Sequence, residues 1–139
     1  MSQRLRIGYL VPQFPGQTHI FFWREVQALE AMGHKVDLLS TRMPPSGLIA
    51  HDWSEDAIAR TTYLGQIKPL NALRALSALL PRGLMRATLR EGPGFARDVA
   101  VTLSAAQALK AHATTAGLDH VHVHSCGRAA PIAALAQQL

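Results

Sequence analysis

A strand, a helix and a second strand follow one another at the start of the chain and limit the folds that it can adopt. Residues 5–11 form an apolar run that predicts a buried strand, and residues 18–32 carry apolar side chains at helical spacing, with Thr18 as N-cap. Gly33 follows where helices commonly end in a left-handed residue, and residues 35–41 predict the second strand. Such short connections are typical of a βαβ unit with two parallel strands.

The rest of the chain continues this alternation. The further predicted elements are, in chain order, a short helix over 51–59 that Ser54 caps, a strand over 60–65, helices over 69–80 and 81–90, a break at Gly92, Pro93 and Gly94, a helix over 95–115 ended by Gly117, a strand over 121–124 and a helix from about residue 128. The alternation predicts an α/β fold, a Rossmann-like parallel sheet with helices on both faces. The length suits one domain over 1–139, and the helical pattern that stops at Leu139 without a cap predicts that this domain is incomplete.

Composition removes several classes of protein. The chain is 48% hydrophobic and 17% charged, which allows a buried core and disfavours intrinsic disorder. A single cysteine, Cys126, cannot form a disulfide within the chain, and this favours a reducing compartment such as the cytoplasm. No run of about 18 apolar residues occurs, so a transmembrane helix is not expected. The net charge of +5 is compatible with anionic ligands or membrane surfaces and selects none of them.

The exit of the first strand, PQFPGQTH, is a candidate ligand site because parallel α/β sheets bind ligands beyond the carboxyl ends of their strands. Gly16 would allow close approach to the backbone, and unpaired N–H groups at the helix start near Thr18 attract anions. A purely structural turn fits the spacing equally well. The GxGxxG fingerprint is absent and the second strand ends in Ser40, Thr41 and Arg42 rather than an acid, which disfavours a dinucleotide-dependent dehydrogenase.

The exit of the last predicted strand, DHVHVHSCGR, places His120, His122 and His124 on one face of a strand. One hypothesis is a zinc site on the three histidines, although the sequence offers no evident further ligand. The other is that His120 and His122 are neutral, hydrogen-bonded residues of the sheet. His124 stands at the carboxyl end, where it could orient or deprotonate a hydroxyl group near neutral pH. No G-x-S-x-G pattern surrounds Ser125, which disfavours a nucleophilic serine.

A basic segment over residues 68–90 contains Lys68, Arg74, Arg82, Arg86 and Arg90 and no acidic residue, with leucines between them. One interpretation is an amphipathic surface that contacts an anionic membrane face peripherally. The other is a helix pair that covers the sheet and leaves its arginines in solvent. Nucleic acid is not an expected partner, because few aromatic residues lie among the basic ones and no helix-turn-helix pattern appears.

Both ends of the chain resemble glycosyltransferase family 4 proteins of the kind that build exopolysaccharides. The stretch RIGYLVPQFPGQTHIFFWREVQALEAMGHKVDLLSTR is similar to the family's first strand, Phe-Pro turn, Ser-Glu-Thr-Phe helix start, Arg-Glu pair and Gly-His before the second strand. Phe21 matches the helix start fully, Thr18 matches it by type, and His19 replaces the glutamate. The stretch HVHVHSCGRAAPIAALA resembles the family's His-x-His segment and the small-residue helix after it.

The resemblance implies the N-terminal, acceptor-side domain of a GT-B fold, whose C-terminal domain holds most of the nucleotide-sugar donor. The implied enzyme is a retaining glycosyltransferase of hexosyltransferase type that modifies a glycan or lipid-linked acceptor in polysaccharide biosynthesis. No cofactor or metal is implied, and these residues alone are expected to be inactive. By resemblance, His124 is the expected catalytic residue, and the expected substrate-binding residues are Gly16, Gln17, Thr18, His19 and Ser125.

The main alternative is a non-enzymatic binding module of flavodoxin-like shape, such as a partner subunit. A free sheet edge in such a fold could also pair with a second copy and give a homodimer. The expected location is the cytoplasm, at the inner face of the membrane if residues 68–90 bind there.

Overall fold

Four parallel strands and four helices form the part of the chain that the structure describes. The computed structural model describes residues 4–47, 51–66, 69, 70, 73, 74, 90, 92–125, 127 and 129–139. The strands are β1 (Arg6–Gln13), β2 (Lys35–Arg42), β3 (Thr61–Tyr63) and β4 (His120–Val123). The helices are α1 (Ile20–Ala31), α2 (Ser54–Arg60), α3 (Pro93–Ala116) and α4 (Ala129–Gln138).

The sheet confirms the predicted Rossmann-like α/β arrangement. Its strand order is β3-β2-β1-β4, and every pair of neighbours is parallel. Tyr9 of β1 lies in register between Leu38 of β2 and His122 of β4. The chain therefore builds outward from β1 to β3 and then crosses to the other side of β1 to add β4. This reversal creates a crevice at the carboxyl ends of β1 and β4, where open α/β sheets bind ligands.

Alternation along β1 builds a separate core on each face of the sheet. Tyr9 is buried with Trp23 and Val26 of α1 and with Ala57 of α2. Leu10 belongs to the opposite cluster, whose other buried residues are Leu39, Leu64, Ala105, Ala106, Leu109, Ala129 and Ile132. Helices thus cover both faces, with α1 and α2 on one and α3 and α4 on the other, as the alternating pattern predicted.

The predicted start of α1 is wrong. The helix begins at Ile20, after His19, and this cap makes no side-chain hydrogen bond. Thr18 instead lies in a turn, in which the His19 N–H donates to the Gly16 carbonyl oxygen at 3.0 Å. The residues that the sequence assigned to the start of the helix therefore form a turn before it.

Two further predicted helix starts differ from the structure. Ser54 is the first residue of α2 rather than its cap, and its hydroxyl donates to the His51 carbonyl oxygen. Helix α3 begins at Pro93, so the predicted break is confined to Gly92. Proline fits the first turn of a helix because the N–H group that it lacks would have no helical partner there.

The predicted membrane-contacting segment over 68–90 lies mostly outside the described residues. Within it the structure describes residues 69, 70, 73, 74 and 90, and Leu70 and Leu73 are 70% and 64% exposed. The remainder of the two predicted helices, and Cys126, lie outside the described residues. Among the helices that are described, none is both long and apolar enough to span a membrane.

A polar cluster around Asp37 joins β1, β2 and α3. The Arg6 guanidinium donates to both carboxylate oxygens of Asp37, at 3.2 and 3.1 Å, and the His112 Nε2 lies 2.9 Å from Oδ2. Burial acts to raise the pKa of Asp37, but the hydrogen bonds and charges of Arg6 and His112 outweigh it and hold the pKa below its ordinary value. The folded state therefore favours the ionised carboxylate.

Asp37→Asn is expected to lower the free energy of unfolding by about 1 kcal/mol at pH 7. It should also make the free energy of unfolding less dependent on pH in the acid range. Because the folded pKa lies below the ordinary value of 3.8, the stabilisation is complete above that pH and is lost as the pH falls through the folded pKa. Urea unfolding of both proteins at pH 7 and at about pH 3 measures the two effects. The same difference at both pH values would show that ionisation of Asp37 contributes nothing.

Candidate functional site

Side chains from two neighbouring strands hold the turn after β1. The Phe14 N–H donates to the Ser40 Oγ at 3.0 Å, and the Tyr63 hydroxyl donates to the Phe14 carbonyl oxygen at 2.9 Å. The Thr41 hydroxyl donates to the Pro12 carbonyl oxygen. The Phe14 side chain is buried in the same cluster as the residues of α1 and α2. Strands β2 and β3 thus fix the course of the chain between β1 and α1.

The His19 ring fills the space above Gly16. A Cβ placed on Gly16 would lie 2.6 Å from both the Cε1 and the Nδ1 atoms of His19, so the glycine makes room for the imidazole. The ring stacks against Phe14, with centroids 6.1 Å apart, and lies 5.0 Å from the Phe22 ring. Its Nδ1 is buried and has no hydrogen-bond partner among the described residues. Burial lowers the pKa of His19, which favours the neutral imidazole.

A cavity of about 430 Å³ opens at the carboxyl ends of β1 and β4. Its lining includes Pro12, Gln13, Gly16, His19, Phe22 and Ser125. Ser125 has a φ of 79°, a left-handed conformation that serine rarely adopts. Strained backbone of this kind clusters at binding and catalytic sites. The cavity therefore combines a switch-point position with the His19 ring and a strained residue.

His124 packs against Phe22 and is not one of the described residues that line this cavity. Its backbone N–H donates to a β1 carbonyl oxygen at 2.9 Å, which extends the pairing of β4 with β1 by one residue. Its ring centroid lies 4.5 Å from those of Tyr9, Phe22 and His122. Phe22 thus contacts both His124 and His19, and of these two histidines only His19 is in the described lining of the cavity.

Burial and two neighbouring side chains set the ionisation of His124. Burial contributes most to lowering its pKa, and His122 lowers it further, whereas Glu25 opposes the change. The Glu25 Oε2 lies 3.5 Å from the His124 Nε2 and also accepts the Tyr9 hydroxyl at 2.6 Å. Burial and this hydrogen bond together raise the pKa of Tyr9, so its hydroxyl remains a donor.

The alternation predicted for β4 brings its histidines onto one face. The ring centroids of His120 and His122 lie 6.3 Å apart, and those of His122 and His124 lie 4.5 Å apart. His120 is exposed, whereas the other two are partly buried beside Tyr9. The strand covers His120–Val123, so His124 follows its last residue.

The structure brings together three of the five predicted substrate-binding residues. Gly16, His19 and Ser125 share the cavity, whereas Gln17 and Thr18 are exposed and do not appear in its lining. Gly16 gives space to the His19 ring rather than directly to a ligand. His19 is therefore the predicted residue that the turn is built to accommodate.

Several residues that shape this site were not predicted from the sequence. Ser40, Thr41 and Tyr63 hold the turn, and Tyr9 and Glu25 contact the histidines of β4. A signal for the first two was present, because hydroxyl groups at the end of a buried strand require hydrogen-bond partners. The identity of those partners depends on strand order, which the sequence pattern did not specify.

A larger cavity of about 510 Å³ lies between α3, β4 and α4. Its lining is rich in alanine, valine and leucine, and two of its charged groups already have partners. The Asp119 carboxylate accepts the Arg6 N–H at 2.8 Å, and the Lys110 ammonium donates to the Leu139 carbonyl oxygen. The smaller cavity, at the strand exits, is therefore the stronger candidate for a functional site.

Comparison with protein-family models, curated proteins and solved structures found no match for this chain.

Gly16→Ala is expected to displace the His19 ring while changing the free energy of unfolding by less than about 1 kcal/mol. The new Cβ would collide only with the ring, which ends a side chain and can rotate away. The displaced ring becomes more hydrated, so the His19 pKa should rise toward 6.5.

Proton NMR titration of the His19 ring measures this change. Gly94→Ala is the control, because a Cβ at Gly94 meets nothing within 4 Å. An unchanged His19 pKa in Gly16→Ala would contradict the packing of the ring over the glycine.

Proposed function

We propose that this chain is the acceptor-side part of a glycosyltransferase that transfers a sugar from a nucleotide-sugar to a glycan or lipid-linked acceptor. The observation that carries the proposal is one cavity lined by both strand-exit motifs, with Gly16 and His19 from the first and Ser125 from the last. These are the two motifs on which the resemblance to glycosyltransferase family 4 rests. They lie near opposite ends of the chain, yet they meet at the switch point of the sheet, where ligands are expected.

The polar groups of the cavity suit a sugar hydroxyl. The buried Nδ1 of His19 has no partner among the described residues, and a rotation of the ring away from Gly16 would present it to a hydroxyl group that donates to it or accepts from it. Because burial lowers the pKa of His19, its neutral ring can accept a hydroxyl proton near neutral pH. His124 packs against Phe22 and is not in the described lining of the cavity. We therefore assign the direct contact with the acceptor hydroxyl to His19.

The donor would be held mainly by a second domain. The first turn of α1 contains no acidic residue and the chain has a net charge of +5, both of which favour the approach of a diphosphate. The 139 residues alone are therefore expected to bind an acceptor sugar without transferring a sugar to it. Sugar transfer by this chain alone would refute the division of the site between two domains.

NMR titration of the ¹⁵N-labelled chain with a panel of mono- and disaccharides tests acceptor binding. We expect the amide resonances of Gly16, His19 and Ser125 to shift together, because all three residues line the cavity. His19→Ala should weaken binding about tenfold or more, since it removes one hydrogen bond from a buried site. His120→Ala serves as the control, because His120 is exposed and lies outside the described lining of the cavity.

Two results would overturn the proposal. One is that no sugar of the panel shifts these resonances while the folded spectrum is intact. The other is that His19→Ala and His120→Ala bind equally well, which would place the sugar elsewhere. Binding in the cavity without transfer by a longer form that includes the second domain would favour the non-enzymatic binding module.

A further inference from the structure

Three side chains that can each bind a metal ion converge beside the crevice. They are Glu25 on α1, His122 in β4 and His124 just after β4, and one donor atom from each lies within 4.8 Å of the other two. The sequence suggested a zinc site on the three histidines of β4 and lacked a further ligand. The structure supplies a carboxylate from α1 and leaves His120 exposed at the other end of the row.

The distances are close to those of a formed metal site. In tetrahedral zinc sites with bonds of about 2.0–2.1 Å, neighbouring donor atoms lie about 3.3 Å apart. The Glu25 Oε2 and the His124 Nε2 are already 3.5 Å apart. The third donor, from His122, lies within 4.8 Å of both, so closing to this spacing takes side-chain movements of at most about 1.5 Å, small beside the rotamer freedom of these groups. The arrangement therefore needs no change in the backbone.

The surroundings also fit a metal ligand set. The His124 Nε2 is buried and makes no hydrogen bond to the described residues. It lies 3.5 Å from the Glu25 Oε2, so this nitrogen is free to bind an ion placed between the two groups. The Tyr9 hydroxyl donates to the Glu25 Oε2 at 2.6 Å, and hydrogen bonds of this kind orient the carboxylates that bind metals. The Tyr9 ring, which is fully buried, also packs against both histidine rings.

We propose that Glu25, His122 and His124 bind one divalent transition-metal ion, with Zn²⁺ as the expected ion. Two imidazoles and one carboxylate favour Zn²⁺ over Mg²⁺ and Ca²⁺, which prefer oxygen ligands. The Glu25 side chain is 43% exposed, so a water molecule can reach the ion and occupy its fourth coordination position. The ion ties α1 to the exit of β4, next to Ser125. This proposal is independent of sugar transfer.

Isothermal titration of the full 139-residue chain with ZnCl₂, after removal of any affinity tag, tests the site. We expect one ion per chain and a rise in the thermal unfolding midpoint in Zn²⁺, because the ion binds the folded state. MgCl₂ should give neither effect. Titration with CoCl₂ should give a visible absorption band from an ion held by nitrogen and oxygen ligands.

Four variants separate this site from adventitious binding to strand histidines. Glu25→Gln and His122→Ala should weaken Zn²⁺ binding about 100-fold or more, since each removes a direct ligand. Tyr9→Phe should weaken it about tenfold, because it removes only the hydrogen bond to the ligand carboxylate. His120→Ala is the matched control on the same strand face and should bind Zn²⁺ like the wild type.

The thermal unfolding of each variant without metal shows whether it folds. Glu25→Gln should disturb folding least, because its side chain keeps its shape and its amide oxygen can still accept the Tyr9 hydroxyl. Absence of stoichiometric Zn²⁺ in the wild type would overturn the proposal. So would an equal loss of affinity in His120→Ala and His122→Ala, or an unchanged affinity in Glu25→Gln. None of these results would bear on the binding of sugars in the neighbouring cavity.

Discussion

Gly65→Ala is expected to lower the free energy of unfolding by about 2–4 kcal/mol, although Gly65 is exposed and lies outside every helix and strand. A Cβ at this position would overlap the carbonyl oxygen of Thr41 and lie 3.0 Å from its carbonyl carbon. Both atoms belong to the backbone of β2. The collision therefore cannot be relieved by rotating a side chain.

The collision matters because the chain on both sides of Gly65 is fixed. The preceding N–H, of Leu64, donates to the Ser40 carbonyl oxygen at 2.7 Å, and Leu64 is buried in the core on the α3 and α4 face. Alanine would force this connection away from β2 and weaken both contacts. The displacement should also reach Tyr63, whose hydroxyl holds the turn beside the cavity.

Urea unfolding of wild type and variant measures the change in stability. Gly94→Ala is the control, because a Cβ there meets nothing within 4 Å and alanine favours the helix. It should be neutral or stabilising by up to about 1 kcal/mol. A Gly65→Ala variant as stable as Gly94→Ala would show that β2 and the connection after β3 are not in close contact.

The fold was predictable because its signals are local. The apolar run over residues 5–11 predicted a buried strand in a sheet covered on both faces, and the structure buries Tyr9 and Leu10 of β1 in opposite clusters. Gly33 and Gly117 both adopt the positive φ expected after a helix. The start of α1 was not predictable in the same way. His19 caps that helix in place of Thr18 because of a turn and a ring position that depend on Gly16.

The composition of the site was only partly predictable, since its contacts join distant parts of the chain. Ser40 meets Phe14 across 26 residues, and Tyr63 meets Phe14 across 49. Such pairings follow from the order of strands in the sheet, and periodicity does not determine that order. The same reason applies to Glu25, which lies within the predicted first helix and which the packing of α1 on the sheet brings beside His124.

Ser40→Ala is expected to lower the free energy of unfolding by about 2–3 kcal/mol, because it removes two hydrogen bonds and leaves a buried N–H group without a partner. The Ser40 Oγ accepts the Phe14 N–H at 3.0 Å and donates to the Arg42 carbonyl oxygen at 3.0 Å. Ser40 is fully buried, so water cannot readily replace the lost oxygen. Thr102→Ala, which removes a hydroxyl bonded to an exposed helix carbonyl, should change stability by less than about 0.5 kcal/mol.

The effect of Ser40→Ala should couple to that of Tyr63→Phe, because both hydroxyls bind the backbone of Phe14. In a double-mutant cycle measured by urea unfolding, we expect a coupling energy of about 0.5–1 kcal/mol. The amide resonances of Phe14 and Gly16 should shift in each variant, since the turn that carries His19 loses one of its supports. Additive losses with unchanged resonances would mean that the two hydroxyl groups stabilise the sheet without positioning the turn. The packing of Phe14 alone would then determine the shape of the cavity.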